Sequence, residues 1–220
     1  MLAKLPPVTK ALLIANVGMF LLQSLLGIDR FYPLMLWPMD LGTPAAFAGG
    51  AWSFQPWQLL TYGFLHGGLA HLLFNMLALV MFGAQLEYTW GDRRFLMFFL
   101  TCVLGAGLVQ LVVGTLSVSG GGGAYPTLGA SGGVFGLLLA YGMLFPNQRV
   151  MLLIPPIPMK ARTLVIVFGV ISLLLGVTGT AAGIAHFAHL GGMLFGWLLI
   201  RYWRGQPPFG RKRPPPGRHF

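Results

Sequence analysis

Charge is scarce in this sequence. Only 8% of the 220 residues are charged and four are acidic, against 56% apolar. A soluble globular domain carries roughly 25% charged and ~45–50% apolar residues, so the soluble class is excluded. Disorder and a collagen-like chain are excluded too, because apolar residues dominate and no Gly-X-Y period appears. The single cysteine, Cys102, cannot close an intrachain disulfide and carries no redox signal. It sits in an apolar run and reads as a small core side chain. Strict apolar/polar alternation is missing, which argues against a membrane β-barrel. There is no internal repeat, and the apolar part of the chain reads as one domain.

What is present is a set of long apolar stretches, covering roughly 11–28, 59–86, 95–118, 131–145, 163–179 and 184–202. A hydrocarbon core of ~30 Å takes about 20 helical residues at ~1.5 Å each. Most of the stretches meet this, and the fourth is short. The expectation is an all-α membrane protein, a bundle of six transmembrane helices with a short fourth helix. The first stretch follows Lys4 and Lys10 and resembles a signal peptide in outline, but no small-residue cleavage site follows it, so it is read as an uncleaved helix.

Basic residues orient the bundle. Lys4, Lys10, Arg93, Arg94, Arg149, Lys160, Arg162, Arg201, Arg204, Arg211, Lys212, Arg213 and Arg218 fall on one side of the six spans, and only Arg30 on the other. By the positive-inside rule both termini are cytoplasmic. The net charge of +10 therefore reports topology, not a nucleic-acid surface. Residues 1–204 form the membrane domain, and the Pro- and Arg-rich segment 205–220 reads as a disordered cytoplasmic tail able to meet anionic lipid. Trp57, Trp90, Tyr202 and Trp203 flank spans as interfacial anchors do. No feature of the sequence sets an oligomeric state.

In this orientation the second, fourth and sixth spans begin on the outer side, and each carries unusual polar residues there. They are His66, His71 and Asn75, then Ser131, then His186 and His189. Ionisable groups at membrane depth are costly and mark function by default. Three helices placing them at one level imply a shared polar pocket opening outward.

Ser131 to Phe145, closed by Pro146, is about 22 Å of helix, several ångströms short of the hydrocarbon core. Ser131 should then lie below the membrane surface. The preceding run from Ser119 to Ala130 is too glycine-rich for a stable helix, and irregular backbone at that depth must be buried in protein or line a water cavity. A serine at such a helix start is either a cap or a nucleophile beside free N–H groups that favour developing negative charge. Gly129, Gly132 and Gly133 allow close backbone approach. Gly132 and Gly136 match Gly192 and Gly196 in i, i+4 spacing, a small-residue seam that brings two membrane helices together. That seam would carry His189 to within reach of Ser131, where it is either a structural hydrogen-bond partner or a general base. His71 and Asn75, four apart on one helical face, either bond the loop before Ser131 or stabilise an oxyanion. His66, five residues from His71, would point elsewhere on a regular helix and reads as a loop brace.

Four ordered motifs now resemble the rhomboid family of intramembrane serine proteases, over roughly residues 50–200. They are His66-Gly-Gly-Leu-Ala-His71-Leu-Leu-Phe-Asn75, Glu87-x-x-x-Gly91-x-x-Arg94-Phe95, Gly129-Ala-Ser131-Gly132, and Ala188-His189-Leu-Gly-Gly192-Met-Leu-Phe-Gly196. The resemblance implies a Ser–His dyad without a third acid, with Ser131 as nucleophile and His189 as general base and then acid. His71, Asn75 and the Ser131 N–H would hold the oxyanion. It implies no cofactor and no metal, transmembrane protein substrates, and a multi-pass protein of the cell (inner) membrane with its active site opening outward. Glu87 would brace the loop near Arg93 and Arg94. The link over residues 29–58, with Trp37, Trp52, Phe54 and Trp57, would lie in the outer interface.

Phe135 departs from members that carry tyrosine four residues after the serine, and Gln58 from members that carry arginine after the tryptophan. His186, one turn before His189, is an extra imidazole that either tunes His189 or bonds the outer loop. Two rival readings follow from the same residues: a His-ligated metal or haem membrane protein, and a relative that binds membrane helices without cutting them. A transporter would require an inverted repeat or paired broken helices, and neither is seen.

Overall fold

The computed structural model describes residues 4–42, 52–151, 156–178 and 185–209. Among them the chain is mainly helical. The α-helices are α1 (Pro7–Leu26), α2 (Gln58–Thr61), α3 (Leu69–Ala78), α4 (Ala84–Trp90), α5 (Asp92–Ser119), α6 (Ser131–Leu144), α7 (Ala161–Thr178) and α8 (His186–Trp203). Two short strands, β1 (Arg149–Met151) and β2 (Pro158–Lys160), pair antiparallel between α6 and α7.

Eight helical segments stand where six were expected, and both extra breaks fall in the second apolar stretch. After α2 the chain makes a 3₁₀ turn at Tyr62–Phe64. Gly68, in fully extended backbone, then sets the start of α3. His66, Gly67 and Gly68 add little to helix propensity, and apolarity alone cannot reveal such a break. Farther on, a π-helical turn at Leu79–Gly83 separates α3 from α4, although Leu69–Trp90 remains one apolar rod.

Among the described residues four helices are long and apolar enough to cross a membrane: Pro7–Leu26, Leu69–Trp90, Asp92–Ser119 and Ala161–Thr178. α6 is apolar but has only 14 residues. α8 matches α7 in length, but His186, His189 and Arg201 lower its apolarity.

The centre of the bundle is α5, α6 and α8, which pack on one another most extensively. α1 and α7 lie outside: 22% of each apolar window is buried, against 44% for α5. On α1 the buried positions are Thr9, Leu12, Asn16 and Gln23, one helical face with three polar members. Ile14, Leu21, Leu22 and Leu25 face outward. A helix that is polar within and apolar without suits lipid surroundings.

α6 and α8 meet through glycine. A Cβ on Gly192 would overlap the Gly132 carbonyl, and one on Gly136 would strike Cys102 and approach the Gly192 carbonyl. The seam expected from small-residue spacing is present, with one change. Gly196 faces Phe98 and Cys102 of α5, so the glycines serve a three-helix junction.

Glu87 does not brace the Arg93–Arg94 turn. Its buried carboxylate accepts hydrogen bonds from the Val8 and Thr9 N–H groups and the Thr9 hydroxyl, each at 2.7 Å. An α-helix leaves its first N–H groups unsatisfied, and α1 begins Pro6-Pro7 without a side-chain cap of its own. A glutamate from α4 supplies it.

The link between α1 and α2 is knit inward more than expected. Gln58 is fully buried and accepts from the Gln55 and Trp37 N–H groups while donating to the Pro33 carbonyl. Trp37 is also buried and donates to the Tyr32 carbonyl. Trp52 and Trp57 remain exposed as an interfacial segment would have them, and residues 43–51 lie outside the described residues. Trp90 and Trp203, expected as separate anchors, stack edge to face at 5.5 Å, with Arg94 over the Trp203 ring.

Candidate active site

At the end of the bundle away from Glu87, the backbone turns through Gly129 into α6. Gly129 has φ +132°, a conformation that side-chain-bearing residues rarely adopt. A Cβ there would sit 2.7 Å from the His71 ring. The glycine is required both for the turn and for the contact.

Three hydrogen bonds set this turn from distant parts of the chain. Leu36 and Thr127 exchange both backbone bonds in an isolated bridge, at 2.9 and 2.8 Å. The Gly129 N–H donates to the Tyr62 carbonyl at 2.9 Å. Tyr62 is held in turn by its hydroxyl, which donates to the Val103 carbonyl at 2.7 Å. The end of the irregular glycine-rich segment, Thr127 to Gly129, is thus docked against protein. Tyr62 and Leu36 were not legible as site residues. A tyrosine in an apolar run was the one available signal, and nothing distinguishes Leu36.

Ser131 is the first residue of α6, so its N–H and those of Gly132 and Gly133 have no intrahelical acceptor. The first helical bond runs from the Val134 N–H to the Ala130 carbonyl. No side-chain cap bond is formed at this end, so the Ser131 hydroxyl is not spent on capping. It lies 2.9 Å from His189 Nε2. His189, in the first turns of α8, is buried, and its Nδ1 has no hydrogen-bond partner among the described residues. Phe135, one turn after Ser131, stacks on the imidazole with centroids 4.0 Å apart and planes 6° from parallel.

His71 and Asn75 share a face of α3, where the Asn75 amide donates to the His71 carbonyl at 3.0 Å. One amide hydrogen remains for another acceptor. The Gly67 N–H approaches His71 Nδ1 at 3.5 Å, a contact that suits the tautomer with its proton on Nε2. That Nε2 edge lies on the Gly129 side, where a Cβ of Gly129 would be 2.8 Å from it and 3.7 Å from Ser131 Oγ.

His66 precedes α3 and escapes its geometry, so its ring lies edge-on to His71 at 5.1 Å. Its bracing runs through the backbone: Gln23 Oε1 accepts from the His66 N–H, and Gln23 Nε2 donates to the His66 carbonyl. The ring nitrogens of His66 have no partner among the described residues, and neither do those of His186. His186 stands edge-on to His189 at 6.0 Å.

The arrangement has a hydroxyl bonded to an imidazole, an imidazole clamped by an aromatic ring, and N–H donors grouped nearby. An imidazole so placed can take the hydroxyl proton as the oxygen attacks an electrophile. Among the described residues no three His, Cys, Asp or Glu side chains converge as a metal-ligand set.

The Rhomboid domain family model matches residues 53–205. The chain is 34% identical over 148 residues to RHOMBOID-like protein 4 of Arabidopsis thaliana, covering 66% of this chain and 33% of the relative. It is 33% identical over 151 residues to Rhomboid protease GluP of Bacillus subtilis, covering 69% of this chain and 26% of the relative. With the rhomboid protein YdcA of Bacillus subtilis it shares 30% identity over 206 residues, covering 89% of this chain and 88% of the relative. The chain thus spans between a quarter and a half of the first curated relatives it matches, and most of YdcA. With its four apolar helices it is a multi-pass membrane protein, and it belongs to the rhomboid family.

Proposed function

We propose that this protein is an intramembrane serine endopeptidase that hydrolyses peptide bonds in or near the transmembrane helices of its protein substrates. The observation carrying this reading is the 2.9 Å contact between Ser131 Oγ and His189 Nε2, made by a hydroxyl free of any capping bond. Its relatives include a protein named a rhomboid protease.

Ser131 Oγ attacks the substrate carbonyl while His189 Nε2 takes its proton. The proton passes to the departing amine, and water, activated by the same imidazole, releases the acyl group. His71 Nε2–H, the second Asn75 amide hydrogen and the Ser131 N–H hold the oxyanion. No carboxylate serves as a third member: the four acids are Asp29, Asp40, Glu87 and Asp92, and Glu87 is engaged by α1. Phe135 keeps the imidazole plane in place of a third group.

The spanning set would be six helices, α1, α3 with α4, α5, α6, α7 and α8, within a membrane domain of residues 1–204. The tail 205–220 would be cytoplasmic, although residues 210–220 lie outside the described residues. Both termini would face the cytoplasm of a cell (inner) membrane, with Ser131 opening to the outer face. That orientation rests on the distribution of basic residues.

The test is cleavage of a model transmembrane substrate by reconstituted wild type, Ser131→Ala and His189→Ala, with and without chelator. Cleavage lost in both variants and indifferent to chelator is expected. Activity surviving Ser131→Ala would overturn the mechanism. A folded wild type that binds the substrate helix without cutting it would favour a helix-binding protein.

A further inference from the structure

The β1–β2 hairpin lies at the mouth of a membrane span, because Lys160 of β2 is followed at once by Ala161 of α7. Its base is tied to the end of α6 by the Ala161 N–H, which donates to the Gln148 carbonyl at 2.8 Å. Along β1 the inward residue is Val150, which joins the main core, while Arg149 and Met151 are exposed.

Two features of the outward face are uneconomical in water. Arg149 and Lys160 are directly opposite in the register, and both are exposed, as is Arg162 just beyond. Like charges paired across strands repel. Farther from the helices, Met151 is 60% exposed and Ile157 48% exposed, with Pro158 opposite Met151. The hairpin therefore runs from a cationic base to an apolar outer part.

We infer that the hairpin is a membrane-interface anchor. Its apolar part (Met151, Ile157 and Pro158) enters the acyl boundary of the leaflet beside α7, and Arg149, Lys160 and Arg162 bind the phosphates of anionic lipids. Two observations select lipid as the occupant. The hairpin leads without a break into α7, an apolar helix whose Ile166, Val170 and Leu174 are exposed. An anionic headgroup between Arg149 and Lys160 also turns their repulsion into two attractions. An interfacial segment with apolar and Lys/Arg faces binds in this way. The inference holds whether or not the protein is a protease.

A nitroxide on Ile157→Cys tests it in the full chain reconstituted in vesicles, because position 157 is exposed and Cys102 is fully buried. The unlabelled parent reports any reaction at Cys102. In vesicles containing phosphatidylglycerol, collisions with oxygen should exceed those with an aqueous nickel chelate, and the label should become shallower in pure phosphatidylcholine. Arg149→Gln with Lys160→Gln should abolish that lipid dependence while thermal unfolding stays unchanged. Chelate-dominated collisions in anionic vesicles would overturn the anchor. Equal depth in both lipids and in the double variant would overturn the phosphate-binding base.

Discussion

Phe135 lies flat on the His189 imidazole, 4.0 Å between centroids and 6° from parallel, on the helix that begins with Ser131. One helix therefore supplies both the hydroxyl and the surface that orients its base. Aromatic stacking contributes ~0.5–1.5 kcal/mol beyond buried area. Phe135→Ala should lower kcat/KM roughly 2- to 10-fold, with Phe135→Leu intermediate and Phe135→Tyr close to wild type, in a reconstituted cleavage assay.

Gly129→Ala meets two obstacles at once, the positive φ and the His71 ring. A residue held in a disfavoured backbone region costs about 1–3 kcal/mol, and the methyl must also displace His71 from the proposed oxyanion site. Loss of cleavage should exceed loss of thermal stability. His71→Ala should lower kcat by about 10²-fold with a smaller change in KM, as removal of one oxyanion donor does.

Gly192→Ala places its methyl on the Gly132 carbonyl, which is backbone and has no rotamer to yield. Overpacking costs about 1–3 kcal/mol, and here the upper end or more is expected in thermal unfolding. The control is Gly18→Ala on α1, where a methyl meets nothing within 4 Å. It should be neutral or stabilising by up to ~1 kcal/mol from helix propensity.

Glu87→Ala should destabilise the fold by about 2–4 kcal/mol, because hydrogen bonds to a charged group are worth ~1.5–3 kcal/mol each and do not add fully. Glu87→Gln presents an NH₂ group to at least one of the three donors and should fall between the two. Unfolding in detergent measures both. Residual folded variant should still cleave, since the carboxylate lies at the far end of the bundle from Ser131.

The meeting of Ser131 and His189 was legible because its determinants are local. A span too short for the bilayer sinks its first residue, and i, i+4 glycines advertise close helices. What was not legible depends on partners far along the chain. Glu87 was assigned to the nearest cations, yet its partners are 78 and 79 residues away. The break before α3 was hidden because His66 and the glycines are flanked by apolar residues, so hydropathy runs straight across the turn. The proximity of His66 to His71 followed from that break. The glutamine at 58 could be seen as a departure, but only packing shows it buried as the knot of the first loop.

The hydroxyl and its imidazole are 58 residues apart, on helices made at different times. A ribosome finishes α6 well before it reaches α8, so a nascent chain holds Ser131 for a time with no imidazole beside it. On the proposed mechanism, chemical competence arrives last, with the helix that wedges Gly192 against Gly132. On that reading, the dyad is absent while all the earlier helices are being made.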